Sequence, residues 1–341
     1  MNPKISVITI GYNVEPYIKQ CLTSLLRQQY DNYEVIYVDD GSKDNSAKIA
    51  KDLASQHANM IVVEKENGGI ISAKIEGVRR ATGDYLCFVD GDDWAGTEYL
   101  SELSAGIRIQ GVPADIVAGK HFVQKADGTF FKSGCSLSKN VLTGDEYFRE
   151  IMEDHIDHYT VAKLFHRVFF LNAGYLDFPH VTMAEDLLTN ALLGLNKPRV
   201  HFLDCAGYYY RYTETSLTRA GDERLLEQGK TLSYMEKQIL QTDTYRDLMS
   251  YQWFSYLQTY LQARQVPTHI KRMLVEICKK PIHGWTHNQY SVKRWQRLTL
   301  NGKIRMCIYI YLPAFISPYE YLLFCAYKLR AGKKLKHNIC L

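Results

Sequence analysis

The first ninety residues alternate between two periodicities, and this alternation constrains the fold more than any other feature of the chain. Residues 5–10 (Ile-Ser-Val-Ile-Thr-Ile) and 33–38 (Tyr-Glu-Val-Ile-Tyr-Val) are short, apolar and rich in β-branched side chains, as strands buried on both faces are. Between them Ile18, Cys21, Leu22, Leu25 and Leu26 recur at helical spacing. The pattern then repeats. Ile49, Ala50 and Leu53 mark a second helix, residues 60–64 a third strand, 71–80 a helix and 85–89 a fourth strand. Repeated strand–helix units predict an α/β fold with a mainly parallel sheet and right-handed crossovers. Ligands of such sheets bind beyond the carboxyl ends of the strands.

From 97 to 220 the pattern is mixed. A helix is expected over 98–109, a strand at 115–117, a hairpin turning at Asp127-Gly128, helices near 144–152 and 160–171, and strands near 199–203 and 206–212. Beyond 221 the chain reads as helical and aromatic-rich. The net charge of +4 conceals an asymmetry: residues 261–341 hold 15 Lys/Arg against only Glu276 and Glu320. An acidic front and a basic back suggest two different tasks. The eight cysteines include no C-x-x-C pair, which speaks against a zinc or redox site and fits a reduced, cytoplasmic compartment. No secretory leader is expected from residues 1–6, which run straight into strand-like sequence.

Three acidic clusters follow predicted buried segments. Asp39-Asp40-Gly41-Ser42 ends the second strand. It reads either as a helix cap or as a contact to a nucleoside at a strand end. Asp90-Gly91-Asp92-Asp93 ends the fourth strand. Three carboxylates in four residues repel one another; the run is either a solvated loop or the seat of a hard divalent cation, Mn2+ or Mg2+, completed by phosphates. Glu185-Asp186 also suits a helix start, where the macrodipole favours acids.

In their order and spacing these segments resemble the family 2 glycosyltransferases. Residues 5–13 are similar to the family's opening strand and Y-N turn, and 33–42 to its V-D-D-G-S nucleoside site. Glu66-Asn67-Gly68-Gly69 with Ala73-Lys74 and Gly77 is similar to its E-N-G-G-x-x-x-A-R-N-x-G segment, and 83–93 to its strand and metal loop. The match is dense over 4–100 and looser over 160–219. The resemblance implies a GT-A catalytic domain over 1–220, with a nucleotide-binding half (1–100) and an acceptor-binding half (101–220), followed by a helical region over 221–341. It implies an inverting transfer of a sugar from a nucleotide-diphosphate donor, expected to be a UDP-sugar, to a glycan or lipid-linked acceptor in surface polysaccharide synthesis.

By the same resemblance Tyr12 and Asp40 hold the base, with Asp39 nearby on the nucleoside. Asp92 ligates the metal, helped by Asp93 or Asp90, and Asp186, beside Glu185, is the catalytic base. Arg211 and Arg219, in a segment similar to Y-Y-R…S-x-T-R, are expected on the diphosphate, since arginine offers bidentate donors. Three departures bear on specificity. The usual proline after the first strand is Ile10, placed among the donor contacts; A-R-N reads Ala73-Lys74-Ile75; and W-N-K-L-Y survives only as Val161-Ala162-Lys163-Leu164-Phe165. Lys74 can still meet a phosphate as a point charge.

The tail carries apolar, aromatic runs over 305–316 and 321–327, then Lys333, Lys334 and Lys336. The first run is too short to span the roughly 30 Å bilayer core. Peripheral attachment to the inner face of an anionic membrane is expected, against a packed helical subdomain with an incidental basic end. Long apolar runs between the lysines speak against nucleic acid. A nicotinamide enzyme lacks its G-x-G-x-x-G after the first strand. The remaining alternatives are a nucleotidyltransferase, whose Gly-rich basic first turn is missing, and a catalytically degenerate assembly partner.

Overall fold

A computed structural model describes residues 2–134, 139–213, 223–241, 243–263, 265–316 and 318–323. The chain divides into two compact units, Met1–Arg219 and Ala220–Leu341.

In the first unit an eight-stranded sheet has the order β11-β13-β8-β12-β4-β1-β2-β3. Its parallel half comprises β1 (Ile5–Gly11), β2 (Tyr33–Asp39), β3 (Met60–Glu64) and β4 (Tyr85–Asp90). The crossovers are α1 (Glu15–Leu25), α2 (Ser46–Ala54) and α3 (Ile70–Arg80). Helix α1 carries Pro16 in its first turn, where a missing N–H costs nothing, and buries Ile18, Cys21, Leu22 and Leu25 completely. Each such side chain contributes roughly 1.5–3 kcal/mol relative to exposure. Helix α3 lies unusually close to the sheet. A Cβ on Gly77 would sit 2.3 Å from the Ile8 Cγ2 methyl, so glycine at this position sets the helix–sheet distance.

Short strands β5 (Trp94–Ala95), β6 (Arg108–Ile109) and β7 (Val112–Pro113) and helix α4 (Tyr99–Ser104) lead into the second half of the sheet. It is completed by β8 (Ile116–Ala118), β11 (Val141–Leu142), β12 (Lys163–His166) and β13 (Val200–Phe202). Around these pack α5 (Glu146–Met152), α6 (Arg167–Asn172) and α7 (Glu185–Leu195). A smaller sheet, ordered β10-β9-β14-β5, contains β9 (His121–Gln124), β10 (Phe130–Ser133) and β14 (Tyr208–Tyr210). The architecture is the mixed, helix-flanked α/β sheet of the GT-A type.

Two local expectations change. The helix expected over 98–109 stops at Ser104. The helix expected over 160–171 begins only at Arg167, because Lys163–His166 forms β12, antiparallel to both β4 and β8. Leu164 and Phe165 are fully buried there. A short apolar run interrupted only by Lys163 fits a two-sided strand as well as a helix, and the two neighbouring strands decide it.

The second unit contains α8 (Glu227–Ile239), α9 (Arg246–Gln262), α10 (Thr268–Cys278), α11 (Gln289–Arg297) and α12 (Leu300–Tyr311). Trp253, Phe254, Leu257, Met306 and Tyr309 form its core. Asn288 caps α11 by accepting the N–H groups of Tyr290 and Ser291. Lys271 and Arg305 converge on Glu320 at 3.8 and 3.7 Å, so two bases of the basic back are engaged inside the unit. No helix among the described residues is long and apolar enough to cross a membrane.

Candidate active site

Strand register brings the first two acidic clusters together. Gly11 of β1 pairs with Asp39 of β2, and Ile10 pairs with Asp90 of β4, so three carboxyl ends lie side by side. Asp39 and Asp40 are both buried. Asp39 accepts from the Tyr37 hydroxyl at 3.2 Å and from the Ser42 N–H at 2.9 Å, closing the turn after β2. Asp40 accepts from the N–H groups of Gly68 and Gly69 at 3.0 and 2.8 Å and pairs with Lys65 Nζ at 2.7 Å. Both Asp40 oxygens therefore hold the turn that begins α3. Tyr12, directly after β1, is 49% exposed.

The 90–93 loop is pinned to the strand ends. The Gly91 N–H donates to the Ile10 carbonyl at 2.9 Å, and a Cβ on Gly91 would approach that oxygen to 2.6 Å. Only glycine lets the loop lie this close. Asp93 is 1% exposed and has both oxygens engaged, one by the Arg211 N–H at 2.7 Å and one by the Tyr208 hydroxyl at 2.5 Å. Burial pushes its carboxyl well above the ordinary range, and the charges on Asp92 and Asp90 add to the effect. Burial also raises Asp92. That carboxyl is partly exposed and, among the described residues, its only hydrogen bond comes from its own N–H. Burial pushes Asp90 up to about 7, with Lys74 opposing and Asp92 and Asp186 adding. Arg211 donates to the Asp92 carbonyl at 2.6 Å and to Gln20 at 2.7 Å. Its guanidinium lies 4.5 Å from the Trp94 ring, which in turn stacks on Tyr209.

The third cluster opens α7. Ala184, directly before it, takes a left-handed conformation (φ 59°) that aims the first turn and is uncommon for a residue with a Cβ. Lys74, 3% exposed, reaches from α3 to this turn. Its ammonium lies 3.2 Å from Asp186 Oδ1, 3.9 Å from Glu185 Oε1 and 3.0 Å from the Thr160 hydroxyl. Burial favours the neutral amine, but the two carboxylates more than offset this and raise the Lys74 pKa. The Thr160 hydroxyl donates to the same Asp186 oxygen at 2.6 Å. Burial alone would raise Asp186; Lys74 and Thr160 prevail and hold it below the usual carboxylate range. Burial and the Asp186 charge push Glu185 the other way, up to about 7. One ionised and one poised carboxyl thus sit side by side.

Ile10, Tyr12, Asp39, Asp40, Asp90, Asp92 and Asp93 lie at or just beyond the carboxyl ends of β1, β2 and β4, Arg211 is bonded to the loop after β4, and the Asp186 charge reaches Asp90. Lys74 lies with the acids of α7 instead of facing an open phosphate site. Arg219 lies outside the described residues. Three participants are new. Lys65 directly follows β3, a position that could have marked it; Tyr208 heads the aromatic run ending at Arg211; Thr160 carries no motif.

The glycosyl transferase family 2 profile matches residues 6–170. The uncharacterized glycosyltransferase EpsJ of Bacillus subtilis is 34% identical over 236 residues, covering 67% of this chain and 68% of that protein. Glycosyltransferase GlyA of Streptococcus pneumoniae is 29% identical over 229 residues, covering 66% of this chain but 33% of its own length. Residues 1–349 of S. aureus TarS, in a structure with UDP-GlcNAc, share the fold with a TM-score of 0.60 at 22% identity, covering 85% of this chain and 92% of that one. On the likeness to EpsJ and the family profile, the chain belongs to glycosyltransferase family 2 and is a glycosyltransferase.

Proposed function

We propose that the chain transfers a sugar from a UDP-sugar to a hydroxyl of a glycan or lipid-linked acceptor, by a single inverting displacement with Asp186 as the base. One observation carries the reading: an ionised carboxylate, held by Lys74 and Thr160, lies within electrostatic reach of the acidic loop that ends β4. The nucleoside sits at Tyr12 and the Asp39–Asp40 turn. UDP is the first nucleotide to test because TarS, of the same fold, is described with UDP-GlcNAc.

The residues at the loop suit a hard divalent ion. Burial raises Asp90 and Asp92, neither has a cation at bonding distance among the described residues, and oxygen donors are what Mn2+ or Mg2+ prefer. Among the described residues no group of three or more His, Cys, Asp or Glu side chains is arranged to hold a metal by itself, so an ion here would need further oxygen ligands, such as those of a diphosphate. Asp92, with Asp90, would hold the ion; Asp93, committed to Tyr208 and Arg211, anchors the loop. When bound, such an ion would supply charge neutralisation for the departing diphosphate. The chain's own contribution lies on the other face of the sugar. Asp186 Oδ1 is occupied by Lys74 and Thr160, so Oδ2 accepts the acceptor proton as the new bond forms. Arg211 adds fixed positive charge beside the loop. Screening UDP- and GDP-sugars should give manganese-dependent release of UDP; release from GDP-sugars alone would overturn the nucleotide assignment.

We further propose peripheral attachment to an anionic membrane through the second unit. Leu300, Ile304, Tyr311, Leu312, Phe315, Tyr321 and Leu322 are each at least 40% exposed within 23 residues of chain, a dense apolar surface for a solvated protein. Replacing Tyr311, Phe315 and Tyr321 together by Ser should abolish sedimentation with phosphatidylglycerol vesicles while sugar transfer to soluble acceptors persists. Unchanged sedimentation at low and high salt would contradict it.

A further inference from the structure

Tyr159 is 45% exposed, although its surroundings hold it firmly. The buried Lys163 ammonium donates to the main-chain carbonyls of Tyr159 and Asp157. The Tyr159 ring stacks on Tyr210 (centroids 6.4 Å apart, planes at 26°) and meets the buried His121 ring edge to face at 5.4 Å. The segment is bracketed by Asp154 and Ala162, both at positive φ, a backbone retained only where the surroundings enforce it. An aromatic ring so fixed from beneath, yet left nearly half in water, is what a stacking platform requires.

Its position says what would stack there. Thr160, the next residue, touches Asp186 at 2.6 Å, and the Asp186 charge reaches the Tyr159 phenol, so a molecule presenting a hydroxyl to Asp186 has this ring as a neighbour. Burial raises the pKa of the Tyr159 phenol, and the charges of Asp157 and Asp186, with Tyr210, add to the effect; two carboxylates acting on the ring disfavour an anionic group there. We infer that Tyr159, backed by Tyr210, is the acceptor-sugar subsite, taking the apolar C–H face of an uncharged pyranose ring. This inference rests on the reading of Asp186 as the base, and it names the acceptor class that the base serves.

Saturation-transfer NMR with methyl β-glucopyranoside and methyl β-N-acetylglucosaminide, in the presence of UDP and Mn2+, tests it. The wild type and Tyr159→Phe should transfer saturation to the ring C–H protons of at least one pyranoside. Tyr159→Ala should lose about tenfold of that signal while binding UDP as the wild type does. Ribitol 5-phosphate should give no signal with any of them. Equal pyranoside signals from the wild type and Tyr159→Ala, no pyranoside signal from the wild type, or equal contact by ribitol 5-phosphate would each overturn the subsite. Failure of the underlying reading looks different: Asp186→Asn would then transfer sugar normally, whatever the pyranosides do.

Discussion

Asp186→Asn should reduce sugar transfer by about 10²–10⁴-fold, the usual contribution of a positioned general base, and leave affinity for UDP and Mn2+ nearly unchanged. The loss arises because Asn offers no lone pair basic enough for the acceptor proton. The fold should survive, and the reason lies next door. With the Asp186 charge removed, the principal charge raising Glu185 disappears. Ionisation of Glu185, 3.9 Å from the Lys74 ammonium, is then opposed mainly by burial and favoured by that cation, so Glu185 can take over as its carboxylate partner. Glu185→Gln should cost transfer much less, since consecutive helical residues point in different directions. If Glu185 and Asp186 merely began a helix, Asp186→Asn would lower stability with little loss of turnover per folded molecule; thermal melts beside initial rates separate the two.

Asp92→Asn should have the second largest effect and should change two quantities in opposite directions. Transfer should fall by on the order of 10²–10³-fold, because an anionic ligand to the ion across the diphosphate is lost. Stability without metal should rise at neutral pH. Burial raises the Asp92 pKa in the folded protein above its ordinary value of 3.8, so the folded chain binds that proton more tightly than the unfolded chain does. Stability therefore declines as pH rises from about the unfolded value through the folded one, and Asn, which cannot ionise, removes the decline. A higher melting temperature without metal, together with loss of manganese-dependent stabilisation, is the expected pair. Turnover and metal response like those of the wild type would move the ligand role to Asp90 or Asp93.

The parallel half of the sheet was legible because its determinants are local. Residues 5–10, 33–38, 60–64 and 85–89 are short apolar runs, and the helices between them carry their buried faces at regular spacing. The acidic clusters were legible as clusters for the same reason. What each oxygen does was not, because its partners are remote in sequence. Lys74 has the point charge expected of a phosphate contact, yet Asp186, 112 residues away, draws it inward. Asp40 sits where a nucleoside contact is expected, yet the Gly68 and Gly69 N–H groups take its oxygens. Asp93 looks equivalent to Asp92 in a run of acids, and only Tyr208 and Arg211 distinguish them. The β12 strand was missed because Val161 to Phe165, apolar apart from Lys163, shows no alternation, and strand or helix is there decided by pairing with β4 and β8.

The central claim is that these acids divide into a donor-holding group and a base, and calorimetric titration of UDP in the presence of Mn2+ tests it most directly when set beside turnover of the same samples. The account predicts that Asp186→Asn binds UDP like the wild type but transfers sugar at about 10²–10⁴-fold lower rate, whereas Asp92→Asn loses manganese-dependent binding and turnover together. Normal transfer by Asp186→Asn, or loss of UDP binding by both variants alike, would contradict it.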